Sequence, residues 1–162
     1  MSAQLSDLAV LLDIVIALVL GGAIGWERER RGKSAGLRTH MLVAMGAALF
    51  VALGEHIIRQ FGGQGESIRV DPLRIIEAIV TGISFLGAGT IFVSRGADHV
   101  QGLTTAASIW ATAAIGIAVG LERHVLAVGS TLLVLLVLHL LPLVFTDHDD
   151  EAEARSSSES QP

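Results

Sequence analysis

Long apolar runs separated by short polar stretches dominate the sequence. Five runs are long enough for a helix that crosses a bilayer: residues 8–26, 41–58, 71–93, 103–121 and 125–145. At 1.5 Å per residue the first run gives a helix of roughly 28 Å, which is close to the thickness of the hydrocarbon core. The pattern therefore predicts an all-α, polytopic membrane protein with five transmembrane helices.

The third and fourth runs differ from the others because they are rich in Gly, Ala, Ser and Thr. Lipid contact does not favour this choice, whereas small side chains let helix backbones approach and small hydroxyls bond across helices. We therefore expect these two helices at the packed centre of the bundle. The glycines predicted to mediate helix packing, which include two GxxxG pairs, are Gly21, Gly25, Gly82, Gly87, Gly89, Gly116 and Gly120.

Basic residues are concentrated in the connection between the first two runs, ERERRGKSAGLRTH over residues 27–40. The positive-inside rule assigns this connection to the cytoplasm, which places the N-terminus outside and the C-terminus inside. No cleaved signal peptide is expected, because residues 3–7 carry no basic side chain. The chain then divides into a transmembrane helical domain, residues 1–145, and an acidic, Ser-rich tail, residues 146–162, predicted to be disordered.

Composition excludes several classes of function. The charged fraction of 17% lies below the quarter typical of soluble domains. The absence of Cys excludes disulfides, thiol catalysis and Cys-zinc sites. No basic aromatic face suggests nucleic-acid binding, and Gly32–Lys33–Ser34 is not a nucleotide loop because Glu27 stands where that motif needs a glycine. No base is spaced to activate a Ser or Thr, so we expect no enzyme. The expected partners are the lipid bilayer and another membrane protein or a second copy of the chain.

Four carboxylates fall near the outer membrane level in this topology. They are Asp13, Glu55, Asp71 and Glu77. Hard divalent cations bind through oxygen ligands, so one hypothesis is an outward-facing acidic vestibule for Mg²⁺, the only cofactor that the pattern suggests. The alternative is a set of local contacts, with Arg59 and Arg74 as ion-pair partners and Asp71 as a helix N-cap.

Polar side chains also follow one face of the third helix and one face of the fourth. The first stripe contains Arg74, Thr81 and Ser84 beside Glu77, and the second contains Thr105, Ser108 and Thr112. If opposed, the two stripes would line a polar seam or a narrow water-filled path. The alternative is that they only hold helices together. His40 and His139 have no partner at metal-ligand spacing. We expect His139 to bond across a helix interface, and His40 to lie among headgroups or bond a loop carbonyl.

Three segments carry a resemblance to a known family. GxxIGWERERRGKSAGLRTHMLVAMGAALF, DPLRIIEAIVTGISFLGAGTI and GLTTAASIWATAAIGIAVG resemble, in order and spacing over about residues 20–120, the MgtC/SapB family of bacterial inner-membrane proteins. The resemblance implies five spans, an external N-terminus and a role in magnesium homeostasis and adaptation to low magnesium. It also implies that the protein either regulates another membrane complex or transports Mg²⁺ or another small ion.

The chain departs from the family pattern at three points. Ser84 stands where a glycine is usual, and Ala78 stands where a glutamine is common. The soluble C-terminal domain of longer members is expected to be absent here, with the short tail in its place. Between the two functions we expect regulation, because five spans are too few for a transporter built from two repeats. Transport through the acidic vestibule remains the alternative.

Overall fold

The part of the chain that the structure describes forms five α-helices and one short pair of antiparallel strands. The structure is a computed structural model, and it describes residues 2–61, 71, 73–93 and 100–139. In chain order the elements are α1 (Ser2–Arg30), α2 (Leu37–Phe61), α3 (Leu73–Gly89), β1 (Phe92–Val93), β2 (Val100–Gln101), α4 (Leu103–Gly120) and α5 (His124–His139). The predicted α-helical class is confirmed, with β1 paired to β2 as a small addition.

The helix boundaries differ from the predicted runs in several places. The third helix ends at Gly89 rather than at residue 93, because the backbone N–H and the hydroxyl of Thr90 both donate to the Gly87 carbonyl, at 3.0 and 2.7 Å. The chain then enters β1. α1 and α2 extend further than predicted, which shortens the basic connection to residues 31–36. The end of the fifth run and the predicted tail, residues 146–162, lie outside the described residues.

Two turns of the same kind determine how the chain reverses. At the end of α1, Gly32 has a φ of 63° and donates its N–H to the Glu29 carbonyl at 3.0 Å, while Lys33 donates to the Arg28 carbonyl at 3.1 Å. This is a Schellman arrangement, which glycine adopts without strain. Glu122 repeats it after α4 with a φ of 58°. As a result only residues 121–123 separate α4 from α5.

The core lies between α1, α2 and α4. Its main cluster includes Ala17, Ile24, Ala44, Ala48, Ile115 and Val119. Because the contributions of α1 and α2 are mostly small, the helix backbones come close together. α4 is central, with ten of its 18 residues buried. On α3 only Ile79 and Gly87 are buried, so the prediction that this helix lies at the packed centre is wrong. α3 lies at the edge of the bundle.

The outer surface of the bundle is apolar. Large exposed side chains on α1 and α5 include Leu8, Leu11, Val15, Val19, Leu132, Leu133 and Leu136. A contiguous apolar surface of this kind indicates contact with lipid rather than water. Among the described residues, three helical stretches are long and apolar enough to cross a membrane, namely Asp7–Arg30, Leu37–Gln60 and Leu103–Gly120. α3 and the described part of α5 are shorter.

Candidate functional site

Two of the four carboxylates predicted for the vestibule contact a basic side chain. The Asp13 Oδ1 atom on α1 lies 2.8 Å from His124 Nε2 at the start of α5. The Glu55 Oε2 atom on α2 lies 2.5 Å from Arg59 Nη2, one helical turn further along the same helix. The first contact joins two helices. The second is a surface pair within one helix and contributes little to stability.

The other two carboxylates belong to the start of α3. Asp71 Oδ1 accepts the backbone N–H of Leu73 at 3.0 Å, which is the contact of a helix N-cap. Glu77 lies on the exposed side of α3. Within residues 2–61, 71, 73–93 and 100–139, no three His, Asp or Glu side chains are grouped closely enough to hold a metal ion. The acidic vestibule for Mg²⁺ therefore stays a prediction, without a ligand set among these residues.

The polar stripe of α3 is exposed. The hydroxyl of Thr81 donates to the Glu77 carbonyl at 2.8 Å, and that of Ser84 donates to the Val80 carbonyl at 2.7 Å. Arg74 is exposed as well. The face of α3 that packs on α2 and α4 is instead apolar, with Ile75, Ile76, Ile79 and Ile83 in the clusters that it shares with those helices. The structure therefore does not oppose the two polar stripes.

The polar stripe of α4 is buried, and it faces α1 and α2. Thr105, Ser108 and Thr112 are each at most 4% exposed. His40 of α2, which is fully buried, places its Nε2 atom 3.1 Å from Ser108 Oγ. Arg28 of α1 is also buried and donates from Nη2 to Thr105 Oγ1 at 3.5 Å. The three central helices thus share a buried polar chain, defined here as Arg28, Thr105, Ser108 and His40.

The hydrogen bonds of His40 and Ser108 connect α2 to α4. Nδ1 donates to the Gly36 carbonyl at 2.9 Å, Nε2 contacts Ser108 Oγ, and the Ser108 hydroxyl donates to the Thr105 carbonyl at 2.8 Å. Carbonyls only accept, so Nδ1 carries a proton, and in the neutral ring Nε2 is an acceptor that the Ser108 hydroxyl can bond in place of the Thr105 carbonyl. The contact joins α2 to α4 at a fully buried position.

Sequence reasoning missed Arg28 and His40 as members of a common site, although the signal was present. On α1, the stripe Ala17, Gly21, Gly25 reaches Arg28 in one further step of three residues. On α2, the row Ala44, Ala48 begins one turn earlier at His40. Residues three and four apart share a helix face, so Arg28 and His40 lie on the same faces of α1 and α2 as these small residues, at one end of each row. The loop carbonyl expected for His40 is that of Gly36.

The predicted packing glycines fall into two groups. Methyl groups built on Gly21 and Gly25 would meet the α2 backbone near His40 and Leu37, and those built on Gly116 and Gly120 would meet α2 at Ala44 and Val51. A methyl built on Gly87 would lie 3.7 Å from Ala106 Cβ, which is an ordinary contact. By contrast, a methyl built on Gly82 or Gly89 would meet no described atom within 4 Å outside its own stretch of helix. These two glycines face open space.

Arg31 joins the end of α1 to the end of α5. Its Nη2 atom lies 3.3 Å from His139 Nδ1 and donates to the His139 carbonyl at 3.4 Å. The expected contact of His139 across a helix interface is therefore confirmed. Arg31 also forms an ion pair with Glu27 on its own helix.

The apolar outer surface, the closely packed helices and the buried polar chain define the class of this protein, which is an α-helical integral membrane protein. Residues 14–146 match the sequence profile of the MgtC family. The chain belongs to the MgtC family. The resemblance noted in the sequence is thereby confirmed.

Several curated relatives are similar over most of this chain. It is 42% identical over 134 residues to the "Putative magnesium transporter YhiD" of Escherichia coli (strain K12), which covers 80% of this chain and 59% of the relative. It is 43% identical over 130 residues to Protein MgtC of Brucella abortus (strain 2308), covering 79% of this chain and 50% of the relative. It is 42% identical over 125 residues to Protein MgtC of Salmonella typhimurium, covering 77% of this chain and 49% of the relative. The chain thus spans about half to three-fifths of these relatives. No solved structure matches it.

Proposed function

We propose that this protein acts in magnesium homeostasis, in adaptation to low magnesium, by regulating another complex of the bacterial inner membrane. Membership of the MgtC family and the name of the Escherichia coli relative support the link with magnesium. We further propose five spans, with the N-terminus outside and the C-terminus in the cytoplasm. The three long apolar helices and the basic connection at residues 31–36 support this topology.

The observation that carries the regulatory role is an apolar groove between α2 and α3. It encloses about 660 Å³. Its floor and walls include Val43, Gly46 and Ala47 of α2 and Ala78 and Gly82 of α3. A methyl built on Gly46 or on Gly82 would meet no described atom within 4 Å outside its own stretch of helix. α3 is held to α2 further along, where Ile75 packs against Gly54, so the groove opens beyond that contact.

The occupant that we propose for the groove is a transmembrane helix of the regulated complex. Lipid chains have no need of a surface made of small residues, whereas a helix backbone approaches closely only where side chains are small. Leu42 and Phe50 are more than half exposed at the rim and would cover the sides of such a helix. The departure of Ala78 from the glutamine common in the family makes this wall less polar.

Filling the groove is expected to abolish function without unfolding the protein. Gly46→Leu and Gly82→Leu place a large side chain in open space within the groove, and Gly129→Leu is the matched control because its built methyl on α5 also meets nothing within 4 Å. In a deletion strain complemented with each variant, growth in low magnesium should be lost for the two groove variants and kept for Gly129→Leu. Equal membrane levels of the three variants would be checked by immunoblot. Full growth with both groove variants would contradict the proposed docking.

Transport of Mg²⁺ is the alternative, and the name of the Escherichia coli relative is the observation that favours it. We expect purified protein in sealed liposomes with an internal Mg²⁺ dye to show no more flux than protein-free liposomes under an imposed gradient. The described carboxylates contact nearby cations or backbone groups, or lie on an exposed face. Flux that disappears in Glu77→Ala would overturn the regulatory proposal and assign an acidic path for the ion.

A further inference from the structure

A cationic cavity lies where the end of α1, the start of α4 and the end of α5 meet. It encloses about 530 Å³. Its polar wall is formed by Arg28, Arg31, Lys33, Thr104 and Thr105, and its apolar wall by Val100, Leu103, Val137 and Leu138. The cavity is separate from the α2–α3 groove, with which it shares no lining residue.

The charges around the cavity do not balance. Arg28, Arg31 and Lys33 are three cations, and the carboxylate that contacts them is Glu27, which pairs with Arg31 and lies 3.9 Å from Arg28 Nη1. The neighbouring carboxylate of Glu29 is engaged elsewhere, because its Oε2 atom accepts the backbone N–H of Leu37 at 2.7 Å. Among the described residues that line or contact the cavity, the three cations thus outnumber the one carboxylate by two.

Arg28 is a buried cation whose donors are mostly unused. Its side chain is 4% exposed. Within the part of the chain that the structure describes, its Nε atom is inaccessible and has no hydrogen-bond partner, and the one bond of its fork goes to Thr105 at 3.5 Å. A guanidinium has five N–H donors. A buried charge with unmet donors is costly, and the part of the guanidinium that lines the cavity can donate to an acceptor there.

The start of α4 adds further donors on the same side. Gly102, the N-cap residue, has a φ of 89°, and no side chain caps the helix within the described residues. The first backbone N–H groups of a helix lack partners inside the helix and carry partial positive charge. Here they lie beside the hydroxyls of Thr104 and Thr105, which also line the cavity. A cationic fork, an uncapped helix N-terminus and hydroxyl donors together make a site for an oxyanion.

We propose that this cavity binds a phosphoryl group through Arg28, Lys33 and the N-terminus of α4. Phosphate offers the several acceptor oxygens that a guanidinium fork and a helix N-terminus both recognise. The inference goes beyond the proposed regulatory role and does not depend on it. Two sources supply the same chemistry, an anionic lipid headgroup and free inorganic phosphate. Leu103 and Val137 at the rim are about half exposed or more and would contact the acyl chains next to a headgroup.

Thermal unfolding of the full chain in dodecyl maltoside tests the site. One arm adds inorganic phosphate against chloride at equal ionic strength, and the other adds phosphatidylglycerol against phosphatidylcholine. A ligand that binds only the folded state is expected to raise the Tm by about 5–10 °C at a concentration near 100 times its Kd. A rise with inorganic phosphate identifies the free anion as the source. A rise confined to phosphatidylglycerol identifies the lipid headgroup. No rise in either arm overturns the proposal.

Variants separate a built site from general surface charge. Lys33→Gln removes an exposed cation that lines the cavity, and Arg30→Gln removes an exposed cation three residues away that does not. We expect Lys33→Gln to weaken binding at least about tenfold, as the loss of a charge-assisted hydrogen bond does, and Arg30→Gln to leave binding unchanged. Arg28→Lys, which keeps the charge but loses the fork, should also weaken binding. Equal weakening by Lys33→Gln and Arg30→Gln would overturn the site.

Discussion

Gly116→Ala is expected to lower the free energy of unfolding by about 2–3 kcal/mol, as overpacking of a closely fitted core does. The added methyl would run into the Ala44 carbonyl oxygen and lie 2.9 Å from Ala47 Cβ. Both obstacles belong to α2 and neither can rotate away, so α2 and α4 would have to separate. The separation would also move Thr105 and Ser108 of α4 away from their partners in the buried polar chain. Reversible unfolding in mixed detergent micelles, followed by circular dichroism, gives the measurement.

Gly129→Ala provides the comparison for this variant. It introduces the same methyl on a helix of the same protein, but at a position where that methyl meets no described atom within 4 Å outside its own stretch of helix. Because Ala favours helix over Gly by up to about 1 kcal/mol, the stability of Gly129→Ala should be unchanged or slightly raised. A loss of similar size in both variants would show that the close approach of α2 and α4 is not the cause.

His40→Ala is expected to lower the free energy of unfolding by about 2–4 kcal/mol, because it leaves a cavity and removes the partner of a buried hydroxyl. His40 is fully buried and reaches Ser108 on α4 from α2. The substitution would therefore weaken the packing of α2 against α4 and not only the stability of α2. Thermal unfolding in detergent, with recovery of folded protein by size-exclusion chromatography, measures the change.

His56→Ala is the control, since it removes an exposed histidine from the same helix. Surface substitutions of this kind usually change stability by less than about 0.5 kcal/mol. His40→Gln should recover part of the stability, because an amide also offers both a donor and an acceptor. If His40→Ala were as stable as His56→Ala, the buried polar chain would have no structural role.

Apolar length and small-residue spacing were sufficient to predict the class of fold and most of the packing. Gly116 and Gly120, one turn apart, lie against α2, and the four-residue spacing alone predicts that they share a packing face. Boundaries were harder to predict because they depend on single hydrogen bonds. α3 ends at Gly89 because the N–H and the hydroxyl of Thr90 both donate to the Gly87 carbonyl. The length of an apolar run does not show such hydrogen bonds. The edge position of α3 was also hidden, because a groove lined by small residues looks in sequence like a packed interface.

The candidate site was predicted in part. Thr105, Ser108 and Thr112 were identified as an inward polar stripe, but the predicted opposing stripe on α3 is exposed. Spacing along one helix shows which residues share a face and does not show which helix they meet. The partner of Ser108 is 68 residues away at His40, and this pairing depends on the order in which helices pack. Charge patterns likewise indicated a cytoplasmic loop at Arg28 and Lys33 without showing the cavity that they line.

The turn after α4 restricts how the chain can enter the membrane. Residues 121–123 can reach only about 10 Å even when extended, which is far less than the roughly 30 Å of the hydrocarbon core. The end of α4 and the start of α5 must therefore stay at one face of the bilayer throughout insertion. In the proposed five-span topology we therefore expect the two helices to insert as a single hairpin, with the apolar α5 accompanying the hydroxyl-rich α4.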